Sequence, residues 1–183
     1  MKKRKITRKR LKELLDYNED SGEFRWKARS SNVVKIGELA GTSHRGYIKI
    51  GLDGETYKAH HLAYLYMTGK YPQSQIDHIN HDKSDNSWRN LRTATQGENM
   101  KNQPLKATNK SGCHGVYFDS PTRKWRAQII NNKRKIHIGL YADLEDAIAA
   151  RKNAEVKYGY HKNHGSTRST GYNSDNNRRV ANF

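Results

Sequence analysis

The stretch Ile76-Asp77-His78-Ile79-Asn80, continued by Asp85-Asn86, Asn90-Leu91-Arg92 and Thr95-Gln96-Gly97-Glu98-Asn99, decides how this chain is read. From Gln75 to Asn102 the residues are mostly His, Asn, Asp and other polar types, too few of them apolar to fold for the sake of a core. A segment of that kind reads as a site. Asp77 and His78 close a short strand, and Thr95 to Glu98 has capping-box spacing, which predicts a helix carrying Glu98, Asn99 and Asn102 in its early turns. Asp77 offers a hard carboxylate oxygen and Asn99 an amide oxygen, ligands that suit magnesium or manganese better than zinc. His78 offers a base near neutral pH. Hydrolysis of a phosphodiester needs a base for water, a cation near the phosphate and groups that hold both, and this stretch has candidates for each.

Working outward toward the N-terminus, Gly69 and Pro72 stop a helix predicted over His60 to Thr68 from the spacing of Leu62, Leu65 and Tyr66. Before it, Tyr47 to Gly51 and Glu55 to Ala59 flank Asp53-Gly54 and predict a hairpin closed on a type I′ turn. Glu23 to Lys27 alternates like a strand. Thr7 caps a first helix, with Ile6 and Leu11 at hydrophobic-staple spacing and Leu11, Leu14 and Leu15 forming its stripe. His44, His60, His61 and His81 are read as hydrogen-bonding structural histidines. Asn80, Asp85 and Asn86 are read as builders of the loop between the site's strands.

Working outward in the other direction, residues 103–112, with Pro104, Asn109, Ser111 and Gly112, read as a linker. Strands follow at Gly115 to Phe118, Lys124 to Ile130 and Arg134 to Leu140, the last two joined at Asn131-Asn132. Asp143 opens a helix bearing Leu144, Ala147, Ile148, Ala150 and Ala154, which ends near Tyr158-Gly159 and packs a small apolar face on the three-stranded sheet. Residues 161–183 have little to bury and are expected to be mobile without DNA.

Only 33% of the 183 residues are hydrophobic, which favours two small cores over one large one. Lys and Arg number 35 against 18 Asp and Glu, a net charge of +17 that attracts polyanions, nucleic acid first. A single cysteine, Cys113, excludes an intrachain disulfide and any multi-cysteine zinc site. The longest apolar run, His61 to Met67, falls well short of the roughly 20 residues a membrane helix needs. The basic start Met1 to Ile6 leads into a charged amphipathic segment unlike a secretory signal, so the expected location is intracellular.

On these residues, Ile76 to Asn80, Asp85-Asn86, Asn90 to Arg92, Thr95 and Asn99, the chain resembles the HNH homing endonucleases of phages. The resemblance implies a ββα-metal (His-Me finger) motif, two strands and a helix around one divalent ion, within an α+β fold. It implies Asp77 and Asn99 as metal ligands, His78 as general base, and Asn90 as the residue that holds the loop and orients His78. The family's last motif residue is often histidine; Asn99 in its place argues for Mg2+ or Mn2+. The run His60-His61-Leu62-Ala63 is similar to the family's preceding helix start. From Ser111 to Tyr160, through Gly115-Val-Tyr, Lys124-Trp-Arg-Ala-Gln-Ile, Ile138-Gly-Leu-Tyr and the Ala-rich helix, the chain resembles the ethylene-response-factor type of DNA-binding domain, whose sheet lies in the major groove.

These likenesses imply an HNH nuclease domain with an N-terminal small sheet over 1–102 (motif about 60–102), a linker over 103–112, a sheet-plus-helix DNA-binding domain over 113–160 and a basic polar tail over 161–183. Arg123, Lys124, Arg126, Lys133, Arg134 and Lys135 are expected on DNA, and Arg89 and Arg92 on phosphates. The family's first-strand arginines are replaced around Tyr117 and Phe118. The expected activity is metal-dependent cleavage of double-stranded DNA, with a phage homing role in the host cytoplasm; monomer and homodimer are both open. The alternatives are a catalytically silent DNA-binding regulator and, from charge and aromatics such as Tyr47, Tyr57 and Trp88, an RNA-binding protein.

Overall fold

A computed structural model describes residues 5–29 and 34–166, which gather into two compact units. Among the described residues, one unit takes those up to Lys70 together with Asp82–Arg89; the other takes Tyr71–His81 and the residues from Asn90 to Ser166.

In the first unit, α1 (Arg8–Leu14) starts at Thr7, whose hydroxyl accepts from the Arg10 N–H at 3.2 Å. Ile6 and Leu11 are both buried, as a staple across the first turn requires. The chain runs directly into β1 (Leu15–Tyr17), antiparallel to β2 (Phe24–Trp26) with Leu15 opposite Trp26. Leu15, Tyr17, Phe24 and Trp26 point inward while Asp16 and Arg25 point out, the period of two that a half-buried pair needs. The reading of Glu23 to Lys27 finds β2 but not β1, whose three residues continue a helical stripe and give no alternation long enough to see.

A second sheet has the order β3 (Thr42–His44), β4 (Tyr47–Leu52), β5 (Glu55–Lys58). Asp53 (φ 48°) and Gly54 (φ 79°) turn β4 into β5, and two consecutive positive φ values are what a type I′ turn requires. β5 leads into α2 (Ala59–Thr68), which buries Ala59, His60, Leu62, Ala63 and Leu65. Left-handed Gly69 ends it, its N–H donating to the Leu65 carbonyl.

In the second unit, β6 (Gln75–His78) pairs with β7 (Leu91–Ala94), which leads through Thr95 into α3 (Gln96–Met100). A sheet of order β10-β9-β8 then forms from β8 (Val116–Asp119), β9 (Lys124–Asn131) and β10 (Arg134–Tyr141). It is covered by α4 (Leu144–Lys157). Cys113, Val116, Ala127 and Ala147 are its buried centre, with Trp125, Ile138, Tyr141, Leu144 and Ile148 packed against them. Burial pushes the Cys113 thiol pKa up. Asp143 stands at the N-cap of α4 but its side chain makes no capping bond.

Three details differ from the sequence reading. The α3 helix ends at Met100 and Lys101 caps it, so Asn102 lies beyond the helix. The β9–β10 turn sits on Asn132 (φ 47°) and Lys133 (φ 64°), one residue later than expected, because these two adopt the left-handed region that the tight turn needs. Residues 161–166, expected to be mobile, are held: the His161 N–H donates to Lys101 O, the Gly165 N–H to Gln103 O, and His164 is buried. Residues 167–183 lie outside the described residues. The stretch 103–112 has no helix or strand, yet Ser111 Oγ is buried and donates to Val116 O at 2.7 Å.

Candidate active site

The β6–β7 hairpin sets Asp77 opposite Arg92 and His78 opposite Leu91. Past His78 the chain leaves the ladder in a tight loop tied to Asn90. The Ile79 N–H donates to Asn90 O and the Asn80 N–H to Asn90 Oδ1, both at 2.9 Å. Asn90 therefore holds the loop from both its backbone and its side chain. The His81 N–H returns to His78 O at 3.1 Å, with His81 itself left-handed at φ 66°. His78 and Asn90 are both buried.

Gln75 and Asp77 leave β6 on the same face, two residues apart. Asn99 of α3 donates from Nδ2 to Gln75 Oε1, and Asn102 donates from Nδ2 to Asp77 Oδ2 at 2.8 Å. The short helix and the turn after it therefore lie along that face. Asp77 Oδ2 also takes Arg92 Nε at 3.1 Å and Nη2 at 2.9 Å. Among the described residues Asp77 Oδ1 accepts no hydrogen bond. Asn99 Oδ1 is buried and likewise has no hydrogen-bond partner.

The α3 helix has only five residues, too short to hold itself, and is fastened by its capping box. The Thr95 N–H and hydroxyl donate to Glu98 Oε2 at 2.7 and 2.8 Å, and the Glu98 N–H donates to Thr95 Oγ1 at 3.3 Å. The Thr95 N–H, then its hydroxyl, hold the Glu98 carboxyl below the usual glutamate range.

Two carboxamide-or-carboxylate oxygens without donors are a fit for a hard divalent cation, which completes its shell with water and substrate oxygens. Among the described residues no group of three or more His, Cys, Asp or Glu side chains is set to hold a metal.

Of the residues expected on phosphates, Arg92 pairs with Asp77 and Arg89 is exposed. In the first unit Asp85 Oδ1 accepts from the Ser87 N–H and hydroxyl, and Asn86 Nδ2 donates to Ser84 O, so both residues build a turn as expected. In the β8–β10 sheet, Lys124, Arg126 and Lys135 share the face turned away from the core; Arg123 and Lys133 occupy turns and Arg134 opens β10 on the other face. Arg126 pairs with Asp119 at 3.2 Å. The Thr122 hydroxyl and then Arg126 hold the Asp119 carboxyl below its usual range.

The sequence assigns no site role to Asn102 or His161, and His81 reads there as a hydrogen-bonding structural residue. Asn102 follows Asn99 by three residues, the spacing that puts side chains on one side of a turn, and that was the available signal. Burial and then the Arg92 guanidinium hold the His161 imidazole pKa below the ordinary histidine value.

The family model of HNH endonucleases matches residues 57–101. That stretch is an HNH endonuclease domain. No curated protein and no solved structure matches the chain. The HNH match covers the hairpin, its loop and α3, so the positions with bonded and bare oxygens fall inside the domain except Asn102, which follows its last matched residue. Among the described residues no helix is long and apolar enough to cross a membrane.

Proposed function

We propose that the chain is a metal-dependent DNA endonuclease that hydrolyses phosphodiesters in duplex DNA. The observation that carries this is the carboxylate of Asp77 inside the HNH domain, with Oδ2 saturated by three donors and Oδ1 bare, next to an α3 whose Asn99 also keeps a bare oxygen. Asp77 and Asn99 would hold Mg2+ or Mn2+, which when bound stabilises negative charge on the phosphate and the departing oxygen. His78 takes the proton from a water molecule as its oxygen bonds to phosphorus. The bond from phosphorus to the 3′ oxygen breaks, that oxygen is protonated from solvent, and a 5′ phosphate remains. Asn90 fixes the loop that begins at His78, so the base keeps its place through turnover.

The β8–β10 sheet is the part we propose to place the cut. Its open face carries Lys124, Arg126 and Lys135 beside exposed Tyr117, and the charge of +17 favours DNA over a neutral surface. This is the ethylene-response-factor reading, with Arg123, Lys133 and Arg134 at its margins and a homing role in a phage as the biological setting.

The test is incubation of the purified full chain with supercoiled plasmid in Mg2+, Mn2+, Zn2+ or EDTA, beside His78→Ala. Nicked or linear product that needs Mg2+ or Mn2+ and falls about 10²- to 10⁴-fold in the variant, with DNA affinity kept, is the expected result. Loss of DNA binding together with cleavage would make His78 a structural residue. Binding without cleavage in any metal, on DNA that includes phage and host sequences, favours a silent regulator.

A further inference from the structure

Asn102 is 2% exposed and makes bonds in two directions. Its Nδ2 donates to Asp77 Oδ2 at 2.8 Å, and a carboxylate can only accept, so the amide orientation is fixed. The amide oxygen then faces His81, whose Nε2 lies 3.1 Å from Asn102 Oδ1. An amide oxygen also only accepts, so His81 carries its proton on Nε2. On its other side, His81 Nδ1 stands 3.3 Å from Ser166 Oγ.

Ser166 belongs to the segment after α4, and that segment is tied to the hairpin loop at several points. Asn163 Nδ2 donates to Ile79 O at 2.9 Å, the Leu105 N–H to Ser166 O at 3.1 Å, and the Gly165 N–H to Gln103 O at 2.8 Å. Contacts thus run from residues 161–166 to the hairpin loop and to His81, although the Ser166 hydroxyl also has Asn163 O as an acceptor at 2.8 Å, and from His81 bonds run through Asn102 to the carboxylate. His81 is 7% exposed and Asn102 2%, so water competes little for the bond between them.

We propose that Asn102 and His81 are positioning residues for the Asp77 carboxylate, and that residues 161–166 complete their frame. The inference rests on the endonuclease reading and adds residues that reading does not contain. Arg92 grips Oδ2 through two nitrogens of one fork, and that grip alone lets the carboxylate pivot about the bonded oxygen. Asn102, bonding the same oxygen while held by His81, blocks the pivot and keeps Oδ1 as the oxygen presented to an ion. Groups that orient a metal-binding side chain in this way are worth about 10- to 100-fold in metal affinity or rate.

The experiment is calorimetric titration of Mn2+ into the full chain without DNA, followed by kcat and KM for DNA cleavage, for wild type, Asp77→Ala, Asn102→Ala, His81→Gln and His81→Leu. Asn102→Ala is expected to weaken Mn2+ binding about 10- to 100-fold and lower kcat by a similar factor, with KM for DNA unchanged. His81→Gln, whose amide nitrogen can stand where Nε2 stands, keeps most of the affinity; His81→Leu behaves like Asn102→Ala. Wild-type Mn2+ affinity in a folded Asn102→Ala overturns the inference. Should that variant fail to fold, the two His81 variants decide: equal Mn2+ affinity in both overturns it as well. Loss of Mn2+ binding in Asp77→Ala with none in Asn102→Ala is failure of this inference alone. Unchanged Mn2+ binding in Asp77→Ala removes the endonuclease reading of the site and this inference with it.

Discussion

The hairpin-and-α3 region and the sheet-and-α4 region are built on opposite terms. The β8–β10 sheet closes over Val116, Ala127 and Ala147, and its order comes from side chains that alternate in and out of that apolar centre. In the β6–β7–α3 region buried Leu91 and Ala94 are joined by buried His78, His81, Asn90 and Asn102, and much of its order comes from hydrogen bonds among polar side chains and loop backbone. Apolar burial is non-directional and tolerates small shifts, whereas a hydrogen bond weakens quickly as its angle and distance change. The sheet region can therefore carry stability and the hairpin region geometry, and substitutions in the two should fail in different ways.

The largest expected effect is in the sheet region. Gly115 has φ 74°, and a Cβ there would stand 2.3 Å from the Gln128 carbonyl and 2.9 Å from Arg151 Nε. The carbonyl belongs to β9 and accepts no displacement without opening the sheet. Gly115→Ala should cost about 3 kcal/mol from the left-handed backbone and the clash together. Chemical denaturation followed by tryptophan fluorescence measures it. A cost below about 1 kcal/mol would mean that this sheet is as adjustable as a loop, and the contrast with the hairpin region would fail.

A second effect arises because the sheet region is not wholly apolar. His164 is buried with no hydrogen-bond partner for either ring nitrogen among the described residues, near Glu155, Arg151 and Lys152. Burial first, then His114, Arg151 and Lys152, push its pKa from the ordinary 6.5 down to about 3. The folded protein thus keeps His164 neutral while the unfolded chain takes up a proton below pH 6.5. The unfolded state binds the extra proton through that window, so stability falls as pH drops from about 6.5 toward 3, by up to about 3 kcal/mol at pH 4. His164→Gln removes the titration, and its stability should decline less than that of wild type between pH 7 and pH 4. Parallel declines would place the acid sensitivity elsewhere.

The same contrast governs what could be read from sequence. The Thr7 and Thr95 caps, the Asp53-Gly54 turn, the β9 and β10 strands and α4 all announce themselves by local spacing, and each forms close to where spacing puts it. The HNH match spans Asp77, His78, Asn90 and Asn99, whose spacing is local too. The His81 and Asn102 network is different. Ser166 meets His81 across 85 positions and Asn163 meets Ile79 across 84, and single polar contacts at such separation leave no period in the chain. The sequence offers Arg92 as a contact for DNA phosphate, and its pairing with Asp77 becomes visible in the hairpin register that sets the two opposite each other.

The smallest effect is the sharpest test of whether the hairpin region is held by local bonds. Thr95→Ala removes a side chain that both accepts from the Glu98 N–H and donates to Glu98 Oε2, while the Thr95 backbone N–H keeps its bond to the same carboxylate. Loss of such a cap costs about 1 kcal/mol. Because α3 has five residues and buries none of them, that energy should appear as fraying of α3 and not as unfolding of the sheet. Amide exchange at Asn99, whose N–H donates to Thr95 O at 3.0 Å, should then quicken about fivefold, with the denaturation midpoint nearly unchanged. Thr95→Ser, which keeps the hydroxyl, should restore most of the protection. If the denaturation midpoint falls instead and the Asn99 amide exchanges no faster relative to the sheet amides, the two regions open as one cooperative unit, and the division between a part that gives stability and a part that gives geometry does not hold.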